Sequence, residues 1–298
     1  MISFSSFDNY IEGDYSMDND KWWFRLTCGF CLVAFVLVSG QPVFAQAATA
    51  TASAPNAQPA DPATAYWEKL TPYQKSQVER MYSDWAYLAK YRDADKELPP
   101  PSSDQVRVVF MGDSITEGWG MKATATSPAR GEFFPGKPYL NRGISGQTTP
   151  QMLVRFRQDV IALKPKVVVL LAGTNDIAEN TGKMSLEETE SNIASMSELA
   201  RANGIRPVLC SVLPSTDFWW HKGLEPALKI KALNAWIKAY AAKNDLVYVD
   251  YYPAMENGEG GLKKEYSPDG VHPNAAGYGI MAPLAEAGIA VALKKPLR

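Results

Sequence analysis

A serine, an aspartate and a histidine occupy positions in the sequence from which they could together activate a hydroxyl group. Ser114 follows an apolar run that begins at Val106, and it stands in the tripeptide Gly112-Asp113-Ser114. If the run is a strand of a parallel sheet, Ser114 lies at the carboxyl edge, where open α/β folds bind their ligands. We therefore interpret Ser114 as a nucleophile.

A serine nucleophile needs a general base, and the chain contains only two histidines, His221 and His272. Asp269 precedes His272 by three residues, so a turn would let its carboxylate accept the imidazole N–H and fix the tautomer. No acidic residue stands within three residues of His221 in the sequence. We favour His272 as the base, although an acid distant in sequence could still lie beside His221 in space.

Polar residues also follow the other predicted strands. These segments are 141–146 (Asn-Arg-Gly-Ile-Ser-Gly), 173–176 (Gly-Thr-Asn-Asp) and 267–274 (Ser-Pro-Asp-Gly-Val-His-Pro-Asn). Taken singly, each segment is also typical of a plain turn or a helix cap. Taken together, they offer amide donors, an acid and an imidazole beside a hydroxyl, which are the groups that acyl transfer by serine requires.

Regular alternation of strands and helices must position these residues. The predicted strands are Val106–Met111, Tyr139–Asn141, Val167–Ala172, Pro207–Val212 and Leu246–Val249. Apolar residues at helical spacing lie between them, and a capping box at Ser185 and Glu188 opens one helix. A final helix is predicted over 273–295, although its three glycines and Pro283 make its continuity doubtful. Near-continuous apolar strands separated by helices indicate an α/β fold with a parallel sheet covered on both faces.

The sequence resembles the SGNH hydrolases, also called GDSL esterases and lipases, over roughly 106–292. The motifs that carry the resemblance are Gly-Asp-Ser-Ile from 112, Gly146 within Ile-Ser-Gly-Gln-Thr, Gly-Thr-Asn-Asp from 173 and Asp-Gly-Val-His from 269. The resemblance implies a flavodoxin-like three-layer sandwich with a five-stranded sheet, and no metal or cofactor. It also implies that Ser114 is the nucleophile, His272 the base and Asp269 its orienting acid. The backbone N–H groups of Ser114 and Gly146 and the side-chain amide of Asn175 would form the oxyanion hole.

Composition divides the chain into four segments. The hydrolase domain is predicted at 102–298, after a helical extension at 65–101 that packs on the main domain. Within the extension, one helical face carries Val78, Met81, Tyr82, Trp85 and Leu88. Residues 46–64 are rich in Ala, Thr, Pro, Gln and Asn and are typical of a flexible linker.

Residues 1–45 are typical of a signal peptide. The apolar run Leu26–Val38 is short for a membrane span, and small-residue patterns for cleavage end at Ala45 and Ala47. We expect a periplasmic or secreted protein that meets the membrane only transiently through this segment, with translation starting at Met1 or Met17. An uncleaved membrane anchor is the alternative. Export leaves Cys210 as the one cysteine of the mature chain, and its setting favours a buried strand residue.

Several other functions are disfavoured by composition. The net charge of −2 and the pI near 5.8 argue against a sequence-independent nucleic-acid binder. One histidine with one mature cysteine could not easily form a usual zinc site, although a carboxylate-rich metal site stays open at this point. The segment 258–261 (Gly-Glu-Gly-Gly) has neither the spacing nor the setting of a dinucleotide fingerprint.

Aromatic residues in two loops give the only indication of the substrate. Phe133, Phe134, Trp219 and Trp220 could stack on a sugar, line an acyl pocket or cover the core. We predict an exported serine esterase that acts on small-molecule or polysaccharide esters, with short acyl groups such as acetyl on carbohydrates preferred. The alternatives are a lipid or lysophospholipid acylhydrolase, a glycan O-acyltransferase using the same triad, and a carbohydrate-binding module with an inert serine.

Overall fold

The structure is a computed structural model that describes residues 67–297. The predicted signal peptide, residues 1–45, and the predicted linker, residues 46–64, lie outside the described residues. The boundary between the helical extension and the hydrolase domain, at residues 101 and 102, stays a prediction.

Five parallel strands form the central sheet in the order β2-β1-β3-β4-β5. The strands are β1 (Val108–Gly112), β2 (Tyr139–Gly143), β3 (Val167–Leu171), β4 (Arg206–Cys210) and β5 (Val247–Val249). Each overlaps a run predicted from the sequence. This order is that of flavodoxin-like doubly wound sheets, so the predicted fold class is confirmed.

Helices precede and connect the strands, and several of them begin at a residue with a capping side chain. They are α1 (Pro72–Ser83), α2 (Ala89–Glu97), α3 (Ser114–Glu117), α4 (Thr149–Asp159), α5 (Thr174–Ile177), α6 (Leu186–Ala202), α7 (Pro226–Lys243), α8 (Tyr252–Met255) and α9 (Ala275–Lys294). The capping box predicted for α6 is present, because Ser185 Oγ accepts from the Glu188 N–H at 3.2 Å and Glu188 Oε2 accepts from the Ser185 N–H at 2.7 Å.

The sheet separates two apolar clusters, one on each face. Successive residues of β1 belong to different clusters, with Val109 and Met111 in one and Val108 and Phe110 in the other. This alternation follows from the two-residue period of a strand. Helices α4, α6 and α7 contribute buried side chains to the first cluster, and α9 contributes to the second. The result is the predicted three-layer arrangement.

The predicted final helix, α9, is continuous from Ala275 to Lys294, and its three glycines and Pro283 do not interrupt it. Gly288 faces the sheet so closely that a Cβ there would lie 2.3 Å from Val249 Cγ2. Glycine thus lowers helix propensity but allows close packing. Among the described residues, α9 is the helix long and apolar enough to cross a membrane by length and composition. Its buried Met281 and Ile289 instead fill the second core cluster.

The helical extension differs from the single amphipathic helix predicted for it. Helix α1 ends at Ser83, and a turn follows in which Tyr87 has a positive φ of 54°. This break rotates the later residues away from the predicted face. Tyr82 lies in α1 before this break and is itself 89% exposed, so the prediction that it packs on the main domain is wrong.

Three glutamine amides join the turn after α1 to the main domain. Gln151 Nε2 donates to the Trp85 carbonyl at 2.7 Å, and Gln158 Nε2 donates to the Leu88 carbonyl at 2.7 Å. Gln147 Nε2 donates to the Ala86 carbonyl at 2.6 Å. Because the acceptors are backbone carbonyls, these contacts fix the path of the backbone at residues 85–88 and depend little on the side chains of that segment.

A buried arginine joins the ends of the first two strands. Arg155, on α4, has no exposed surface. Its Nη2 donates to the Gly112 carbonyl at 3.0 Å, and its Nη1 donates to the Arg142 carbonyl at 2.8 Å and to Asp159 Oδ2 at 3.0 Å. Its Nε donates to the side-chain oxygen of Gln147. A guanidinium removed from water needs such partners, because an unpaired buried charge is costly.

Arg155→Met should lower the free energy of unfolding by about 3–5 kcal/mol, because it leaves the Asp159 carboxylate and two strand carbonyls without their buried donor. Urea unfolding followed by circular dichroism measures this loss. Arg157→Met is the matched control, since Arg157 lies two residues further on the same helix and is exposed. A loss no larger than that of the control would contradict this role of Arg155.

Candidate active site

Ser114 lies where β1 turns sharply into α3. Gly112 permits the turn, since a Cβ there would lie 2.1 Å from Thr116 Oγ1 and 2.8 Å from the Leu171 carbonyl oxygen. Asp113 caps the new helix by accepting a hydrogen bond from the Ile115 N–H at 2.9 Å. Asp113 is fully buried, and this burial raises the pKa of its carboxyl group to about 6. The strand thereby presents Ser114 at the carboxyl edge of the sheet.

The structure brings Ser114, His272 and Asp269 into one hydrogen-bonded series. Ser114 Oγ lies 2.9 Å from His272 Nε2, and His272 Nδ1 lies 2.7 Å from Asp269 Oδ2. Asp269 Oδ1 also accepts from the backbone N–H groups of His272, at 2.8 Å, and of Val271, at 3.0 Å. With Nδ1 donating to the carboxylate, the tautomer leaves Nε2 as an acceptor facing the serine hydroxyl.

The environment of Asp269 keeps its carboxylate ionised. Partial burial raises the pKa of this group, but the hydrogen bonds from His272 and Val271 outweigh burial and hold the pKa well below its ordinary value. A permanent negative charge beside Nδ1 stabilises the imidazolium that forms when the histidine takes a proton.

The second histidine lies away from the serine hydroxyl. His221 Nδ1 lies 2.8 Å from the Ala178 carbonyl oxygen. Of the two histidines in the chain, His272 is therefore the one within hydrogen-bond distance of Ser114 Oγ.

Gly146 and Asn175 lie beside Ser114 in the same cavity. Asn175 Nδ2 donates to the Gln147 carbonyl at 3.0 Å, and its Oδ1 accepts from Asn180 Nδ2 at 2.9 Å. These two contacts fix the orientation of the amide. Because an amide nitrogen carries two N–H groups, the second can donate to a bound oxygen.

Asp176, the residue after Asn175, holds the start of helix α4. Its carboxylate accepts from the Thr149 N–H at 3.0 and 3.1 Å and from the Thr149 hydroxyl. Burial raises the pKa of Asp176 to about 6. The carboxylate thus joins the loop after β3 to the loop after β2, and it lies outside the set of residues that line the cavity.

The cavity has a volume of about 570 Å³, and its lining includes residues from the segments that follow all five strands. Trp219 and Trp220 form part of its lining, and the indole of Trp219 is 62% exposed. Trp220 Nε1 donates to Asn180 Oδ1 at 2.8 Å, so its ring is held in place. Met81 and Arg80 of α1 also line the cavity, which the sequence did not indicate.

The other two aromatic residues predicted to contact substrate lie elsewhere. Phe134 is 7% exposed and packs against Phe110 and Trp119, with ring centres 4.9 and 5.0 Å apart. Phe133 packs on the same group, 5.1 Å from Phe134. Neither lines the cavity. We therefore assign Phe133 and Phe134 to the core, because the aromatic cluster takes up the ring surface that a substrate would need.

Other reactive groups do not assemble into a site. Within residues 67–297, no group of three or more His, Cys, Asp or Glu side chains could hold a metal ion. Cys210 is buried in β4, where burial raises the pKa of its thiol to about 12. A thiol with this pKa is inert at neutral pH.

Known proteins are similar to this chain in sequence and, for solved structures, in fold. Residues 110–280, more than half of the 298-residue chain, match the GDSL-like Lipase/Acylhydrolase family. The crystal structure of a GDSL-like lipase from Bacteroides thetaiotaomicron is 46% identical, with a TM-score of 0.66, and the match covers 70% of this chain and 100% of that one.

Two curated relatives are acetylxylan esterases. The one from Xylanibacter ruminicola is 27% identical over 222 residues, which are 65% of this chain and 45% of that esterase. The one from Geobacillus stearothermophilus is 24% identical over 59% of this chain and 90% of its own length. The chain spans less than half the length of the first curated relatives that it matches. The family match and the closely similar fold confirm the resemblance seen in the sequence: the chain belongs to the GDSL-like lipase/acylhydrolase family.

Proposed function

We propose that this protein is a serine esterase that hydrolyses carboxylic esters through an acyl-enzyme. The observation that carries the proposal is the hydrogen-bonded series from Ser114 Oγ to His272 Nε2, at 2.9 Å, and from His272 Nδ1 to Asp269 Oδ2, at 2.7 Å. A nucleophile, a base and a group that orients the base are what acyl transfer by serine requires. Membership of an acylhydrolase family supports the same reaction.

In the proposed reaction, His272 Nε2 takes the hydroxyl proton as Ser114 Oγ attacks the carbonyl carbon of the ester. The resulting imidazolium then gives its proton to the departing alcohol oxygen, which leaves an acyl group on Ser114. A water molecule activated by the same histidine attacks the acyl-enzyme, and the acid is released. Asp269 stays ionised throughout and holds the imidazole ring in place.

We assign the oxyanion hole to the backbone N–H groups of Ser114 and Gly146 and to the Nδ2 amide of Asn175. The support is their common location in the cavity and the fixed amide of Asn175. Donors that are already oriented stabilise the negative oxygen of the tetrahedral intermediate without reorganising.

The proposed substrates are short acyl esters, such as acetyl groups, on carbohydrates. An exposed indole suits the apolar face of a sugar ring, and Trp219 offers one beside the site of reaction. Polar side chains such as Gln151, Asn180 and Thr181 line the same cavity and could bind sugar hydroxyls. Similarity to two acetylxylan esterases also supports this substrate class.

We further propose that the protein is exported to the periplasm or secreted, on the basis of its N-terminal sequence.

Ser114→Ala should lower the turnover of every substrate by at least about 10⁴-fold, because Ser114 carries the cavity hydroxyl that is hydrogen-bonded to the base His272. The measurement is hydrolysis of acetylated xylo-oligosaccharides and of 4-nitrophenyl esters with acyl chains of two to twelve carbons. Circular dichroism of the variant checks that it is folded. The wild type should prefer acetate to hexanoate and longer chains.

Three results of this experiment would count against the proposal. Unchanged turnover in Ser114→Ala would remove the serine mechanism. Faster hydrolysis of long-chain esters would favour a lipid acylhydrolase, and transfer of acetyl to an added sugar in place of water would favour an O-acyltransferase.

Trp219→Ala should lower kcat/KM for an acetylated xylo-oligosaccharide about tenfold relative to kcat/KM for 4-nitrophenyl acetate, since only the sugar substrate is large enough to stack on the indole. One aromatic contact of this kind is typically worth about 1 kcal/mol or more. Trp236→Ala serves as a control, because Trp236 lies on α7 outside the cavity lining. An equal loss on both substrates would show that Trp219 does not bind sugar.

A further inference from the structure

The loop that contains Gly146 is a tight turn whose conformation sets the direction of one peptide group. The Gln147 N–H donates to the Ile144 carbonyl at 3.3 Å, and Gly146 has a φ of 77°. A positive φ at the third residue is the mark of a type II turn. Types I and II differ by a flip of the peptide between the second and third residues, here Ser145 and Gly146. The N–H of Gly146 belongs to that peptide, so a flip would reverse its direction.

A carboxylate outside the triad holds this turn. Glu117 Oε2 accepts from the Ser145 N–H at 2.7 Å and from the Ser145 hydroxyl. Glu117 ends helix α3, which begins at Ser114, and its backbone packs tightly on Gly143, where a Cβ would lie 2.1 Å from the Glu117 nitrogen. The same short helix therefore carries the nucleophile at one end and the anchor of the turn at the other.

A lysine from the N-terminal extension holds the second oxygen of this carboxylate. Lys90 Nζ, on α2, lies 2.8 Å from Glu117 Oε1. Partial burial raises the pKa of Glu117, but the hydrogen bonds from Lys90 and Ser145 outweigh it and the net pKa is lowered. Each carboxylate oxygen thus has its own partner, and the group is ionised at neutral pH. Lys90 lies outside residues 110–280, the part of the chain that matches the family.

We propose that Glu117, held by Lys90, is a positioning residue that keeps the turn at residues 144–147 in the form that directs the Gly146 N–H at the reacting carbonyl oxygen. This inference rests on the proposed function, because it concerns the oxyanion hole of that reaction. Glu117 itself does not line the cavity, so it acts on the transition state through the turn and not through the substrate.

Glu117→Gln tests the proposal because it preserves the size of the side chain and removes the negative charge of the carboxylate, which binds both Lys90 and Ser145. Loss of one complete oxyanion donor costs about 100- to 1,000-fold in turnover. A donor that is present but poorly held should cost less, and we expect kcat to fall about tenfold while KM changes less than twofold. Lys90→Met, at a helix position on the surface, should also lower kcat, but by a smaller factor than Glu117→Gln.

The affinity of a transition-state analogue separates positioning from a loss of folded protein. Phenylboronic acid forms a tetrahedral adduct with an active serine, so its inhibition constant should rise by the same factor by which kcat/KM falls. A variant that is merely less well folded would show a lower kcat with an unchanged inhibition constant. Glu132→Gln removes the same charge from an exposed site and serves as the control.

The outcomes distinguish this inference from the proposed function. If the wild type hydrolyses none of the esters, the proposed function fails. If the wild type is active and the inhibition constants of Glu117→Gln and Lys90→Met equal that of the control, the function stands and the positioning role of Glu117 is wrong.

Discussion

The buried guanidinium of Arg155 is the contact on which the geometry of the active site most depends. It donates to carbonyl oxygens near the carboxyl ends of two adjacent strands, at Gly112 and Arg142, and to the side chain of Gln147. These are the points at which the chain leaves the sheet to form the two loops nearest the nucleophile. The cation is wholly buried with Asp159. Movement of either loop would therefore take hydrogen-bond acceptors away from a buried charge, which is costly.

Gln147 extends this constraint in two directions. Its side-chain nitrogen binds the Ala86 carbonyl in the extension, and its own carbonyl accepts from Asn175. Arg155 therefore acts through Gln147 on two parts of the site. One is the N-terminal extension, and the other is the Asn175 amide that we assign to the oxyanion hole. Catalysis by electrostatic stabilisation needs donors that do not reorganise during the reaction, and a network of buried hydrogen bonds supplies that stiffness.

Much of this arrangement could be predicted from the sequence, and the reasons are physical. The strands are recognisable because parallel strands buried on both faces are almost continuously apolar. His272 could be preferred over His221 because a short turn allows Asp269 to reach the imidazole. The loops could be predicted to lie close together because the carboxyl ends of parallel strands share one edge of the sheet.

The remainder depends on packing, which local patterns do not encode. Aromatic residues line both cores and pockets, so the sequence could not separate Phe134, in the core, from Trp219, in the cavity. Arg155 stands in an ordinary helical pattern, and nothing in its neighbours indicates that its charge is buried. Lys90 reaches Glu117 because contacts between residues far apart in sequence, among them those of three glutamines and the Arg142–Asp95 ion pair, place the extension beside the domain.

The central claim is that Ser114 is the nucleophile of an acyl-transfer reaction, and covalent labelling tests it most directly. The protein would be treated with a fluorophosphonate, digested and mapped by tandem mass spectrometry. The account predicts a single adduct on Ser114, no adduct in Ser114→Ala, and much slower labelling in His272→Ala because the base is lost. An adduct on another residue, or labelling of Ser114→Ala at the wild-type rate, would contradict the account.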